Sequence, residues 1–143
     1  MTTLENKQLV QNIFAELGQG NPKPLFDSMA EDFRWTVSGN TKWSRTYDGK
    51  QAVLNELLGP LRAMIVDRVR TNAQRFIAEG DHVVVEARGN NKTKAGLPYN
   101  NTYCFVIRLG EGKLREITEY MDTELVTAVL GDPRAEYSRT QAS

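Results

Sequence analysis

Apolar positions change their spacing once along the chain, dividing it into a helical first part and a β second part. Leu9, Val10, Ile13, Phe14 and Leu17 recur at the intervals of one helix face, and Gly18 and Gly20 close that run. Asn21-Pro22 restarts the chain: the amide is a capping residue, and proline fits a first helical turn. The second helix this predicts has Leu25, Phe26 and Met29 on its apolar side. Phe33, Trp35 and Val37 then alternate with Arg34 and Thr36, the pattern of a first strand. Residues 38–48 read as a polar loop holding two aromatics, Trp43 and Tyr47. Asp48-Gly49 opens a third helix carrying Val53, Leu54, Leu57, Leu58 and Leu61, with Gly59-Pro60 placed to disturb its end.

Beyond that helix the pattern is almost entirely β. A long strand is predicted over 65–79, then a hairpin turn at Glu79-Gly80-Asp81 and a strand over 82–88. A polar connection from Asn90 to Pro98 leads to strands over 99–109 and 113–121, joined by Gly110-Glu111-Gly112. Asp122 caps a short helix running through Leu130, with Gly131 at its end. Residues 1–131 thus read as one domain. The tail over 132–143 has little to bury and is expected to be mobile. Helices followed by an antiparallel sheet predict an α+β fold, with helices over one sheet face. A strongly curved sheet of four to six strands would leave a conical cavity beneath the three N-terminal helices.

Period two places residues i, i+2 and i+4 on a common face, so Asn101 and Tyr103 share one with Phe105, Ile107 and Leu109. By the same rule Glu119 shares a face with Ile117 and Met121. A carboxylate on a buried face must be paired, hydrogen-bonded or shifted in pKa. Two roles are open for Glu119: a general acid or base with a raised pKa, or an acceptor for Tyr103, Asn101 or Arg88 that fixes the wall. Asn101 and Tyr103 carry donors suited to polarising a substrate oxygen, or to satisfying Glu119. Trp35 packs beside Phe33 and Val37 or shapes a ligand face, and Met121 suits an irregular apolar wall. Val83, Val85 and Ala87 have the buried parity of their strand, which puts Glu86 and Arg88 outside unless a bulge turns them.

Composition narrows the partners. Basic and acidic residues number 18 each, leaving no net field for polyanions or acidic membranes, so nucleic acid is not an expected partner. The single cysteine, Cys104, excludes an internal disulfide and reads as structural. No Cys/His spacing suggests zinc, and His82 after its turn is expected to be exposed, so neither metal nor cofactor is expected. Without a signal peptide or an apolar run of spanning length, a cytoplasmic protein is expected.

The motifs Asp32-Phe33-Arg34-Trp35-Thr36-Val37, Tyr47-Asp48-Gly49-Lys50, Gly96 through Tyr103 and Gly112-Lys113-Leu114 through Asp122 resemble the nuclear-transport-factor-like superfamily, with ketosteroid isomerase and SnoaL-type cyclases. The likeness covers about residues 4–131. It implies the cone-shaped fold, a small-molecule cavity and a homodimer paired through the outer sheet face. Ketosteroid isomerase has its proton-shuttling carboxylate near what is here Val37-Ser38-Gly39, and no acid stands there. Relatives of limonene epoxide hydrolase place an acid where Glu119 stands, and an arginine and another acid on the strand holding Glu86-Ala87-Arg88, in reversed order. SnoaL-type cyclases need one acidic base, a requirement Glu119 or Glu86 could meet. Trp43 and Tyr47 would then lie near the cavity mouth as lid residues. The resemblance implies cofactor-free acid–base chemistry on an apolar, oxygenated molecule, or alternatively a non-catalytic binding or dimeric interaction module.

Overall fold

The computed structural model describes residues 1–133. Helix α1 (Thr3–Leu17) begins with a reciprocal cap, in which the Thr2 hydroxyl accepts from Glu5 N–H and Glu5 accepts from Thr2 N–H. It buries Val10, Ile13 and Phe14. Helix α2 (Lys23–Ser28) is short; Asn21 Oδ1 accepts from Lys23 N–H at 3.2 Å, and Met29 already belongs to the next strand. Strands β1 (Met29–Val37) and β2 (Thr46–Asp48) form an antiparallel pair, so the loop expected over 38–48 contributes a short edge strand.

The third helical run is α3 (Lys50–Ala52), a π-helical stretch over Val53–Leu58, and α4 (Gly59–Met64). The disturbance expected from Gly59-Pro60 falls before the proline. Pro60 donates no hydrogen bond and its ring crowds the preceding turn, which widens so that Gly59 N–H reaches back to Leu54 O.

Strands β3 (Thr71–Glu79), β4 (His82–Gly89), β5 (Thr102–Gly110) and β6 (Lys113–Met121) form an antiparallel meander. Strand β6 also pairs in parallel with β1, giving the order β2-β1-β6-β5-β4-β3. The fold is α+β, with a curved, mostly antiparallel six-stranded sheet and the N-terminal helices on its inner face. The strand expected from residue 65 begins only at Thr71. Asp67 takes a left-handed φ of 63°, and Ile65 makes an isolated bridge to Thr93. Likewise β5 begins at Thr102 rather than at 99.

Helix α5 (Thr123–Leu130) closes the described chain. Asp122 Oδ1 caps it, accepting from Glu124 and Leu125 N–H. The expected mobile tail falls on residues 134–143, outside the described residues. Strand β6 has its register shifted opposite Arg108/Leu109, so Leu114 and Ile117 both point inward although they are three apart. From Ile117 onward the alternation resumes and carries Glu119 and Met121 inward. Among the described residues no helix is long and apolar enough to cross a membrane.

Candidate functional site

Between the helices and the inner sheet face lies a hollow of about 800 Å³, within the range of small-molecule sites. Its sheet wall includes Trp35, Tyr103, Phe105, Ile117, Glu119 and Met121; α5 adds Val126 and Leu130. Three lining residues, Arg62, Asp67 and Arg68, are exposed and mark the mouth.

The parallel register of β1 and β6 sets Trp35 opposite Ile117 and Val37 opposite Glu119. Trp35 is therefore diagonal to Glu119, and its indole Nε1–H donates to Glu119 Oε1 at 2.9 Å. The Glu119 main chain is held as well, since its carbonyl accepts from Ser38 N–H at 3.0 Å and Ser38 Oγ–H at 2.8 Å. Phe105 stands directly across on β5. Its ring is edge-on to Trp35 (centroids 6.2 Å) and stacked on Tyr103 (5.1 Å), so aromatic faces surround the carboxyl.

This surrounding removes water from the charged form and pushes the Glu119 pKa up to about 7, against the smaller opposing effect of the Trp35 bond. Glu119 is not wholly covered, because the surface it retains borders the hollow. Every sealed side-chain nitrogen or oxygen among the described residues has a hydrogen-bond partner. Oε2 has none, so it is the oxygen open to the hollow.

Two phenols lie nearby. Burial raises the Tyr103 pKa well above its ordinary value, helped by Tyr99 and Glu119, and burial raises Tyr99 too. Both therefore stay protonated at neutral pH, and the Tyr103 hydroxyl donates to Tyr99. Tyr99 Oη already accepts from Asn101 Nδ2–H at 3.2 Å, leaving its own proton to donate. Among the described residues no three His, Cys, Asp or Glu side chains gather as a metal-binding group.

The sequence model of the SnoaL-like domain family matches residues 10–117. The chain belongs to that family. Solved structures agree on the architecture. An NTF2-like protein from Burkholderia xenovorans LB400 is 29% identical, with a TM-score of 0.70, over 91% of this chain and 98% of that one. A protein from Jannaschia sp. CCS1 described as a SnoaL-like polyketide cyclase is 17% identical, with a TM-score of 0.73, over 90% and 93%. TerC, co-crystallised with polyporic acid, is 18% identical, with a TM-score of 0.73, over 87% and 97%. No curated protein matches the chain.

In this SnoaL-like domain, Glu119, Tyr103, Trp35, Trp43 and Met121 border one hollow, whereas the other residues singled out from the sequence do not. Glu86 is on the outer face: β4 carries no bulge against β5, so Val83, Val85 and Ala87 take the interior. The neighbouring Arg75 pairs with Glu86 and holds its carboxyl below the usual range. Arg88 is exposed on the same face and does not reach Glu119.

Asn101 is fully buried, yet it faces the strand ends rather than the hollow. Its Nδ2 donates to Tyr99 Oη and Asp122 O, and its Oδ1 accepts from Thr102 and Asp122 N–H. All of its bonding capacity is consumed, so it pins β5 to the β6–α5 junction and has nothing left for a ligand. Trp43 and Tyr47 are not lid residues. Trp43 is buried in the wall with Nε1–H donated to Gly131 O at 3.0 Å, and Tyr47, 1% exposed, donates to Trp43 O at 2.8 Å. Cys104 is half-buried on the outer face and His82 is exposed beside Asp81.

Tyr99, Ser38 and the mouth arginines were not picked out from the sequence. Tyr99 shares the parity of Asn101 and Tyr103, a signal that was present. Ser38 and the arginines act through contacts between distant segments, which no local pattern encodes.

Proposed function

We propose that this SnoaL-like domain is an enzyme performing acid–base chemistry on an apolar, oxygenated small molecule, with Glu119 as the proton acceptor. The observation that carries the reading is a carboxyl with a pKa near 7 whose unpartnered oxygen opens into a ligand-sized hollow. A general base works best with a pKa near the working pH. The Glu119 carboxylate would take a proton from carbon next to a carbonyl. The Tyr99 hydroxyl, which accepts from Asn101 and Tyr103 and so keeps its own proton, would donate to the carbonyl oxygen as negative charge develops there. These steps need only a proton acceptor and an oxygen-binding donor, and both are side chains, so the chemistry calls for no cofactor. Enolisable ketones and polyketides fit this scheme; with Glu119 protonated, the same carboxyl would give its proton to an epoxide oxygen as a water molecule adds to the ring carbon and the C–O bond breaks, yielding a diol.

The test is deuterium exchange, followed by NMR, at the acidic carbons of a panel of cyclic ketones in D₂O. Exchange accelerated by the protein, and reduced at least about a hundredfold by Glu119→Gln, supports the base assignment. Binding without accelerated exchange across the panel favours the non-catalytic alternative.

A further inference from the structure

The mouth of the hollow carries charge that the protein leaves unmatched. Arg34, Arg45, Arg75, Arg108 and Arg115 each face a carboxylate. At the mouth, Asp67 is taken by Arg70 at 3.1 Å. Arg62 and Arg68 have no ion-pair partner among the described residues.

Other contacts place them. The Arg62 guanidinium lies 5.8 Å from the centroid of the Phe26 ring, which also lines the hollow. The Arg68 stem lies over Gly20, which has φ +81°; a Cβ there would come within 2.8 Å of Arg68 Cβ. A glycine thus makes room for the arginine as well as the turn. Arg68 further borders a shallower outer depression with Arg70 and Lys92, adding positive charge on the solvent side.

Topology sets the mouth apart from the acid. Glu119 is on β6 and Thr71, which opens β3 just after Arg68, is three strands away. At roughly 4.8 Å per strand the separation along the sheet is about 14 Å. The stretch between is walled by aromatic and aliphatic side chains.

We propose that the hollow takes an elongated amphiphilic monoanion, such as a long-chain or ring carboxylate. Arg62 and Arg68 hold its anionic group at the mouth, and its apolar body points toward Glu119. Guanidinium groups suit this role because they offer forked donors and are weakly hydrated. The proposal rests on the hollow being the ligand site proposed above, and not on Glu119 performing chemistry.

Trp35 and Trp43 are the chain's two tryptophans and both line the hollow, so their fluorescence reports occupancy. Decanoate and decan-1-ol are titrated against the unaltered protein at pH 8 in low salt. Decanoate is expected to bind about tenfold more tightly, with the advantage fading as salt approaches about 1 M. Arg62→Gln with Arg68→Gln should erase the preference and leave the affinity for decan-1-ol unchanged. Equal affinities, a preference indifferent to salt, no binding of either probe, or a preference surviving in the double variant overturns the proposal. The salt series needs no substitution, so a poorly folding variant does not block the test. Glu119→Gln should keep the preference while losing exchange activity, so the mouth and the chemistry can fail separately.

Discussion

Glu119 binds its proton more tightly in the folded chain, at about 7, than at its ordinary value of 4.5. Between these values the native state holds more protons than the unfolded state, so stability falls as pH rises through this window. The contribution is intact below about 4.5 and gone above about 7, a loss of about 3 kcal/mol. Glu119→Gln keeps an oxygen for the Trp35 donor and carries no charge. It is therefore expected to flatten this part of the pH profile and to be more stable than the unaltered protein at pH 8. Urea unfolding of both proteins at pH 5 and pH 8 measures this, and parallel profiles would contradict it.

Elements differ in how plainly the sequence announces them. The inward faces of β4 and β5 follow directly from strict alternation, and Glu119 was legible because Ile117 and Met121 fix its parity. The exclusion of Glu86 was legible by the same rule, provided β4 had no bulge, and it has none. The start of β3 was not, because apolar residues 65–66 continue a strand-like run that the left-handed Asp67 interrupts. The roles of Trp43, Tyr47 and Asn101 were hidden for another reason. Trp43 and Asn101 bond main-chain atoms that only the tertiary fold brings near, while Tyr47 turns inward onto a main-chain oxygen four residues back in an irregular loop. Asn101 provides the test at this scale. Asn101→Ala strands several buried donors and acceptors where β5, β6 and α5 meet, and should cost about 3 kcal/mol in urea unfolding. Glu86→Gln, altering an exposed outer-face pair, should leave exchange activity unchanged. A mild Asn101→Ala, or an inactive Glu86→Gln, would reverse the assignment of pin and bystander.

At the scale of the molecule, the inner sheet face encloses the hollow while the outer face remains partly apolar. Register aligns Ile77 with Val84 and Val106, and in the next row Cys104 with Tyr120; Ile77 and Tyr120 are each about half exposed. We propose that two copies pair across this face, leaving both mouths free on the helix side. Sedimentation velocity should find a dimer, and Ile77→Asp with Tyr120→Asp should yield a folded monomer. An unaltered protein that sediments as a monomer would contradict the pairing.

The proposed chemistry depends on the protonation of one carboxyl, and that can be observed directly. The Glu119 side-chain carbon can be assigned by its loss in Glu119→Gln and followed by ¹³C NMR across pH. The expected titration midpoint is near 7. A midpoint in the ordinary glutamate range, about 4 to 5, would mean a solvated or ion-paired carboxylate and would contradict the site described here.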